Sequence, residues 1–361
     1  MSVNYDKRCC KLLENLEADA FLFVNSEDSD RVSQCYLTGF TGEGALLLSK
    51  NESLLLTDSR YTEQAGREAP TLTLEEVKGR YVDAVANAIS ALGVSRVAFS
   101  AKRMSHYWVE RLGEQVDAEL VSLEDPVGRL RRVKEPEEID RMRQAVRVTE
   151  AALTELASRI DVGMRERDLA VDLEYRIRNN GAEKVAFDLI VAAGENSALP
   201  HYRPGTRRLR TGDLLLFDIG AQVDGYCSDM TRVFVMGKPS ARARRIYDLV
   251  LRANRVGVAA VRAGAKGKAV DAAARNIIDE AGHKEHFGHG LGHGVGLEVH
   301  EDPRLSSSSE DTLEAGMMVT VEPGVYLPGF GGVRIEDLVA VTADGCEVLT
   351  SFRRDGLIEV G

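Results

Sequence analysis

"LLLFDIGAQVDGYCSDMTRVFVMG", residues 214–237, reads as two apolar strands around a tight polar turn near Val223, Asp224 and Gly225. Each strand carries one acid. Asp218 follows three leucines and sits between Phe217 and Ile219, while Asp229 precedes the second apolar run. The two acids are equidistant from a centre between Val223 and Asp224, so a hairpin folded there sets them face to face. On a wet face, paired with bases, such a pair is ordinary. The leucines argue for a buried strand instead, and two buried facing carboxylates need a cation or a shared proton.

The form recurs. "MVTVEPGVYLPGFGGVRIEDLVAV", residues 318–341, is again strand, glycine-rich turn and strand, with Glu322 and Glu336 equidistant from Gly329. One such pair reads as accident; two are hard to assign to structure alone. Between them lies "HFGHGLGHGVGLEVHE", residues 286–301, which holds four of the chain's seven histidines. The glycines around His293 permit close backbone approach. His293 would complete a set of four carboxylates and one imidazole. That set suits two divalent ions, and its mainly oxygen donors favour manganese, with cobalt or zinc as alternatives. Cysteine is missing from the set, which argues against a structural zinc site.

Outward from this region, residues 163–181 and 264–282 are both glycine-bounded, read as helices, and follow another helix. They hint at two similar halves. The first of these helix pairs opens at Pro136, a residue favoured in a helix's first turn. Before it, "EDPVGRLRRVKEPEE" carries two prolines and a run of charge. Residues 126–136 are therefore expected as a linker, and the basic run 128–134 as a solvated part of it. Residues 1–125 alternate strands ("AFLFV", "GALLLS", "SLLLTD", "RVAFS") with helices ("YVDAVANAISALG", "SHYWVERLGE"), as an α/β unit with its own core does.

The 361 residues carry a formal net charge of −11, which excludes a broad nucleic-acid or anionic-membrane surface. The five cysteines are odd in number and include no CxxC, so a reducing compartment is expected rather than a disulfide framework. No stretch approaches the roughly 20 apolar residues of a membrane span. A cytoplasmic protein is expected.

Along essentially its whole length the sequence resembles the metallopeptidases of the pita-bread fold, which include methionine aminopeptidase, aminopeptidase P, prolidase and creatinase. The family's ligand order of Asp, Asp, His, Glu and Glu falls on Asp218, Asp229, His293, Glu322 and Glu336. The resemblance implies an α/β (α+β) chain: a creatinase-type α/β domain over 1–125, then a catalytic pita-bread domain over 137–361 with pseudo-twofold halves. It implies two divalent metal ions per subunit, bridged by Asp229 and Glu336, with Asp218 on one and His293 with Glu322 on the other.

Further positions match. "LPHYRPG" supplies His201, the histidine segment supplies His289 and His300, and Arg334 lies two residues before the last glutamate. By resemblance Glu322 moves the proton, His289 and His300 act in catalysis, and His201, His289, His300 and Arg334 meet the substrate. Plainer readings exist: His289 satisfies a buried backbone group, and Arg334 pairs with Glu336. Asp58, Arg60 and Tyr61 in "TDSRY" look like an N-terminal-domain motif of the same branch, serving either an interdomain ion pair or substrate contact. The implied enzyme is an Xaa-Pro aminopeptidase acting on peptides with proline second, and the alternative is an Xaa-Pro dipeptidase. It would be a homodimer with no nucleic-acid or membrane partner. A non-catalytic binding protein on this fold, or a metal-free creatinase-like hydrolase, is opposed by the intact ligand set.

Overall fold

The structure, a computed structural model, describes residues 3–26 and 29–361. It divides into two compact units, Met1–Arg131 and Arg132–Gly361. In the first unit, strands β1 (Ala20–Asn25) and β2 (Gly44–Ser49) are buried at every position, as central strands covered on both faces are. With β3 (Ser53–Thr57), β4 (Thr73–Glu76), β5 (Arg96–Ser100) and β6 (Glu119–Leu123) they form a sheet in the order β4-β3-β2-β1-β5-β6. The expected β2–β3 hairpin is present, with Leu48 opposite Ser53.

Helices α1 (Tyr5–Glu14), α2 (Arg31–Thr38), α3 (Thr62–Glu68), α4 (Tyr81–Leu92) and α5 (His106–Gly113) intersperse the strands. α4 buries Val82, Val85, Ala86 and Ile89, the one-sided stripe its sequence spacing predicts. The "TDSRY" residues form a local cluster: Arg60 pairs with Asp58 and with Glu43, and the Tyr81 hydroxyl donates to Asp58 at 3.0 Å. The guanidinium of Arg60 holds the Asp58 carboxyl well below the usual range.

The expected linker is corrected. Pro126–Arg131 is a helix, α6, and Arg131 is buried. Lys134 is buried as well, because its ammonium finds a carboxylate far along the chain, Glu301. The basic run is therefore not a solvated tether.

The second unit opens with α7 (Pro136–Ala157), which has proline in its first turn and a capping box between Glu135 and Glu138. α8 (Glu166–Asn179) follows. The pattern returns as α9 (Ala241–Ala260) and α10 (Gly267–Glu280), and α8 and α10 have the same 14-residue length. These are the two similar halves. Each helix pair is followed by strands. The first half has β7 (Lys184–Val185), β8 (Ile190–Ala193), β9 (Leu214–Ile219), β10 (Ala221–Val223), β11 (Tyr226–Cys227) and β12 (Met230–Met236). The second has β13 (Gly292–Gly294), β14 (Glu301–Leu305), β15 (Met318–Val321), β16 (Gly324–Leu327), β17 (Gly331–Arg334), β18 (Asp337–Val341), β19 (Cys346–Val348) and β20 (Ile358–Val360). The main sheets run β20-β12-β9-β8 and β14-β13-β15-β18-β19.

Strand alternation on β9 sorts the core. Leu215, Phe217 and Ile219 pack with residues of α7 and α8, whereas Leu214 and Leu216 pack with α9, α10 and the second half's strands. Asp218 shares parity with the latter pair and so points toward the second half. No helix among the described residues is long and apolar enough to cross a membrane.

Candidate metal centre

The first hairpin departs from its expected register. Its turn is centred between Asp224 and Gly225, which take φ of 48° and 80°. An Asp-Gly turn with both residues left-handed matches the twist of the flanking strands, which is why it wins over a turn one residue earlier. Asp218 therefore faces Thr231, and Asp229 lies two residues short of that position. A shift of two residues preserves the face, so both acids still reach the same side. The second hairpin keeps the expected centre. Val321 pairs with Asp337 and Gly324 with Arg334, so Glu322 and Glu336 lie opposite one another between the two ladders.

His293 comes in from β13. Side chains added at its neighbours Gly292 and Gly294 would overlap the carbonyl oxygens of Thr320 and Asp302, so only glycine lets this strand press against both partners. The imidazole Nδ1 donates to its neighbour's carbonyl, Gly294 O, at 3.0 Å. That bond fixes the tautomer and leaves Nε2 as a free donor atom for a cation. Nε2 lies 3.4 Å from Glu322 Oε1 and 3.7 Å from Asp229 Oδ2. Ligand atoms of Asp229, His293 and Glu336 all fall within 4.8 Å of one another.

The charges do not balance. Asp218, Asp229, Glu322 and Glu336 line one cavity of about 750 Å³, and Arg334 is the base that pairs into them, at Asp218. Burial first, then repulsion from Glu336 and Asp218, drives the Asp229 carboxyl well above the usual range. Glu336 is driven up the same way by burial and by Glu322. Burial raises the Glu322 carboxyl to about 8. Burial also pulls the His293 imidazole down to about 3, so it enters neutral, as a metal ligand must. Asp218 Oδ1 is buried with no hydrogen-bond partner among the described residues. Orphaned and repelling oxygens around a neutral imidazole are the donor set of a divalent cation site, so the residues present fit the expected ions.

Arg334 has protein partners on each of its nitrogens. Its Nε donates to Thr231 Oγ1 at 3.0 Å, its Nη1 to Tyr326 Oη at 2.8 Å, and its Nη2 pairs with Asp218. It touches Glu336 only through Thr231, whose hydroxyl donates to Glu336 Oε2 at 2.7 Å. With its side chain 3% exposed and its nitrogens committed, Arg334 organises the acids and has little left to offer a substrate. His289 Nδ1 donates to Gly290 O at 2.8 Å and Nε2 accepts from Tyr326 at 2.9 Å, so both of its nitrogens also have protein partners. Burial and Arg334 keep it neutral, down to about 4.

His201 and His300 line the same cavity and are exposed to it. The His300 ring lies 4.3 Å from that of His293. Thr231, Tyr326 and Arg304 belong to the site and were not singled out from the sequence. Strand parity with the acids is the signal that reaches Thr231. Arg304 lines the cavity, and its charge is felt at His293, His300 and Glu322.

Comparison with known proteins identifies the family of both units. Residues 140–343 match the model of metallopeptidase family M24, and residues 7–133 match the creatinase/prolidase N-terminal domain. An X-Pro aminopeptidase of Thermotoga maritima is 40% identical with a TM-score of 0.92, covering 98% of this chain and 100% of that one. An Xaa-Pro dipeptidase of Bacillus anthracis is 38% identical with a TM-score of 0.94, covering 99% and 100%. An Xaa-Pro dipeptidase of Pyrococcus furiosus is 36% identical over 92% of this chain and 97% of its own.

Proposed function

The chain belongs to metallopeptidase family M24, and from that premise we propose that it is a dinuclear Xaa-Pro aminopeptidase, releasing the first residue of peptides whose second residue is proline. The observation that carries this reading is the imbalance of buried charge: four carboxyls converge on one neutral imidazole, with a single guanidinium paired into them. Asp218, Asp229, His293, Glu322 and Glu336 would hold two divalent ions, with manganese as the expected metal. When bound, the ions supply Lewis acidity toward the scissile carbonyl and a water acidic enough to ionise near neutral pH.

The chain's own residues do the rest. Thr320 anchors Glu322 Oε1 at 3.4 Å, which holds the carboxyl ready to take the water's proton and pass it to the leaving nitrogen. His300 faces the cavity and would donate to the oxygen that becomes negative. His289, with its nitrogens occupied, offers a ring edge to the proline, and His201 offers a second imidazole at the wall. Proline brings no amide hydrogen to its bond, so a peptidase that grips that hydrogen fails there. A site made of carboxylates and imidazoles has no need of it. The five free cysteines suit a cytoplasmic enzyme. A homodimer is the expected assembly, checked by sedimentation.

One observation favours a shorter substrate. Arg304 lines the cavity and its guanidinium has no hydrogen-bond or ion-pair partner among the described residues, and a dipeptide places a free carboxylate close to the cleaved bond. An Xaa-Pro dipeptidase is therefore the second reading. Metal-stripped protein, reloaded with single ions, is assayed on an Xaa-Pro dipeptide and an Xaa-Pro-Xaa tripeptide. Cleavage of the tripeptide with manganese supports the aminopeptidase. Strong preference for the dipeptide replaces it with the dipeptidase, and inactivity with every ion on both peptides removes the peptidase reading altogether.

A further inference from the structure

His300 is not held by the ladder it borders. The β13–β14 pairing runs from Gly292 opposite Leu305 to His293 opposite Arg304, then breaks, so that Gly294 faces Glu301. The chain bulges between Glu301 and Arg304, directly after His300. Something else must fix this segment. Lys134 Nζ lies 3.1 Å from Glu301 Oε2, with the two side chains 1% and 6% exposed. The other oxygen of Glu301 accepts from the backbone N–H of Glu298 at 3.0 Å. One buried carboxylate thus closes a loop around Val299 and His300, and a buried ammonium holds the carboxylate.

Lys134 is itself pinned. Its backbone N–H donates to Gly316 O at 2.9 Å, and Val133 bridges Met317, at the start of the strand that leads to Glu322. On the far side of the bulge, Arg132 pairs with Asp311 at 2.7 Å, and Asp311 accepts from the backbone N–H of Arg304 at 3.0 Å. The same short stretch therefore grips the segment before and after the irregularity, and its anchor is the backbone that carries a metal-ligand candidate.

We infer that Lys134 and Glu301 are positioning residues for His300, holding its imidazole beside His293 at the cavity wall. The inference rests on the peptidase reading for its kinetic consequence, though its structural content stands apart. Neutralising both partners together, as K134M/E301Q, avoids leaving one charge buried alone. This variant keeps its two-ion uptake and loses about tenfold or more in kcat/KM, chiefly in kcat, the size expected of a lost supporting contact. In an H300A background the same pair of changes costs less than twofold, because the group it positions is gone. Equal losses in both backgrounds overturn the inference in favour of a merely structural pair.

If K134M/E301Q does not fold, K134Q, which keeps a hydrogen-bonding group beside Glu301, goes through the same cycle. A readout independent of turnover is the imidazole carbon-bound proton resonance of His300, assigned by its loss in H300A. Its ring-current shift from His293 collapses in the pair variant. An unmoved resonance overturns the inference even in a protein that cleaves neither peptide, whereas inactive wild-type protein with a shifting resonance overturns only the peptidase reading.

Discussion

Two clusters of buried charge occupy the same strands, one residue out of phase. Glu336 lines the cavity and accepts from the Thr231 hydroxyl; their neighbours Arg232 and Asp337 pair with each other instead. On the far side Asp337, fully buried, lies 3.0 Å from Arg232 and 2.9 Å from Arg354, and accepts from Thr350 at 2.9 Å. Arg232 also donates to Glu336 O at 2.6 Å and Phe352 O at 3.0 Å. That cluster meets its one carboxylate with two guanidinium groups, although Asp337 Oδ2 is reached by Arg354 as an ion pair and accepts no hydrogen bond among the described residues. On the cavity side the acids are buried or nearly so and the compensation is missing, because four carboxyls share one paired guanidinium, that of Arg334 at Asp218. Burial of charge therefore does not mark a functional site by itself. The unpaid remainder after every internal partner is counted does.

The comparison breaks most sharply at adjacent residues. E336Q removes a donor from the uncompensated side. It is expected to lower kcat/KM by about a thousandfold or more, since a Lewis-acid contribution is several kcal/mol. The melting temperature of the metal-free variant stays level or rises, as one repelling charge has gone. D337N does the reverse. It strands two arginines beside a neutral amide and is expected to cost about 3–5 kcal/mol in denaturant unfolding, with metal affinity preserved in whatever remains folded. Equal stability losses for the two variants would erase the distinction.

Protonation sharpens it next. In metal-free protein the Glu322 carboxyl is raised from an ordinary 4.5 to about 8, and Asp229 and Glu336 are raised as well. A carboxyl raised on folding binds its proton more tightly in the folded state. Its contribution is fully present below the unfolded value and declines as pH climbs through the folded one. These groups should therefore make metal-free protein lose stability from about pH 4 to about pH 8, and saturating manganese should flatten that slope. Melting curves across the range, with and without metal, test the sign. The smallest effect is expected from T231V, which cuts the one hydroxyl linking Arg334 to Glu336: about 1 kcal/mol in stability and about tenfold in activity.

Both hairpins were legible in the sequence, but not equally. Counting from Gly329 pairs Glu322 with Glu336 correctly, because the glycine-rich turn is symmetric about it. Counting from Val223 and Asp224 misplaces Asp229, because the turn needs Asp224 and Gly225 both left-handed. Strand alternation rescued the inference, as an even slip leaves a side chain on its own face. The helix pairs and four of the first unit's six strands are legible from periodicity and turn residues; β4 and β6, with no fully buried residue, carry no such apolar run. The basic run was misread for a different reason. Arg132 and Lys134 find their carboxylates at sequence separations of 179 and 167, and a local reading of charge sees only a hydrophilic stretch. The partners of Arg334 likewise arrive from three other strands, so no local reading of its neighbours supplies them.

The glycines around His293 also set where this enzyme can change. With Thr320 and Asp302 carbonyls against both flanks, the strand that presents the imidazole admits no new side chain without moving the backbone. New substrate preferences would have to be written elsewhere, in the loop of His201 or around Arg304, where side chains already face open space. Laboratory libraries aimed at altered selectivity should yield survivors at those rims and almost none at Gly292 or Gly294.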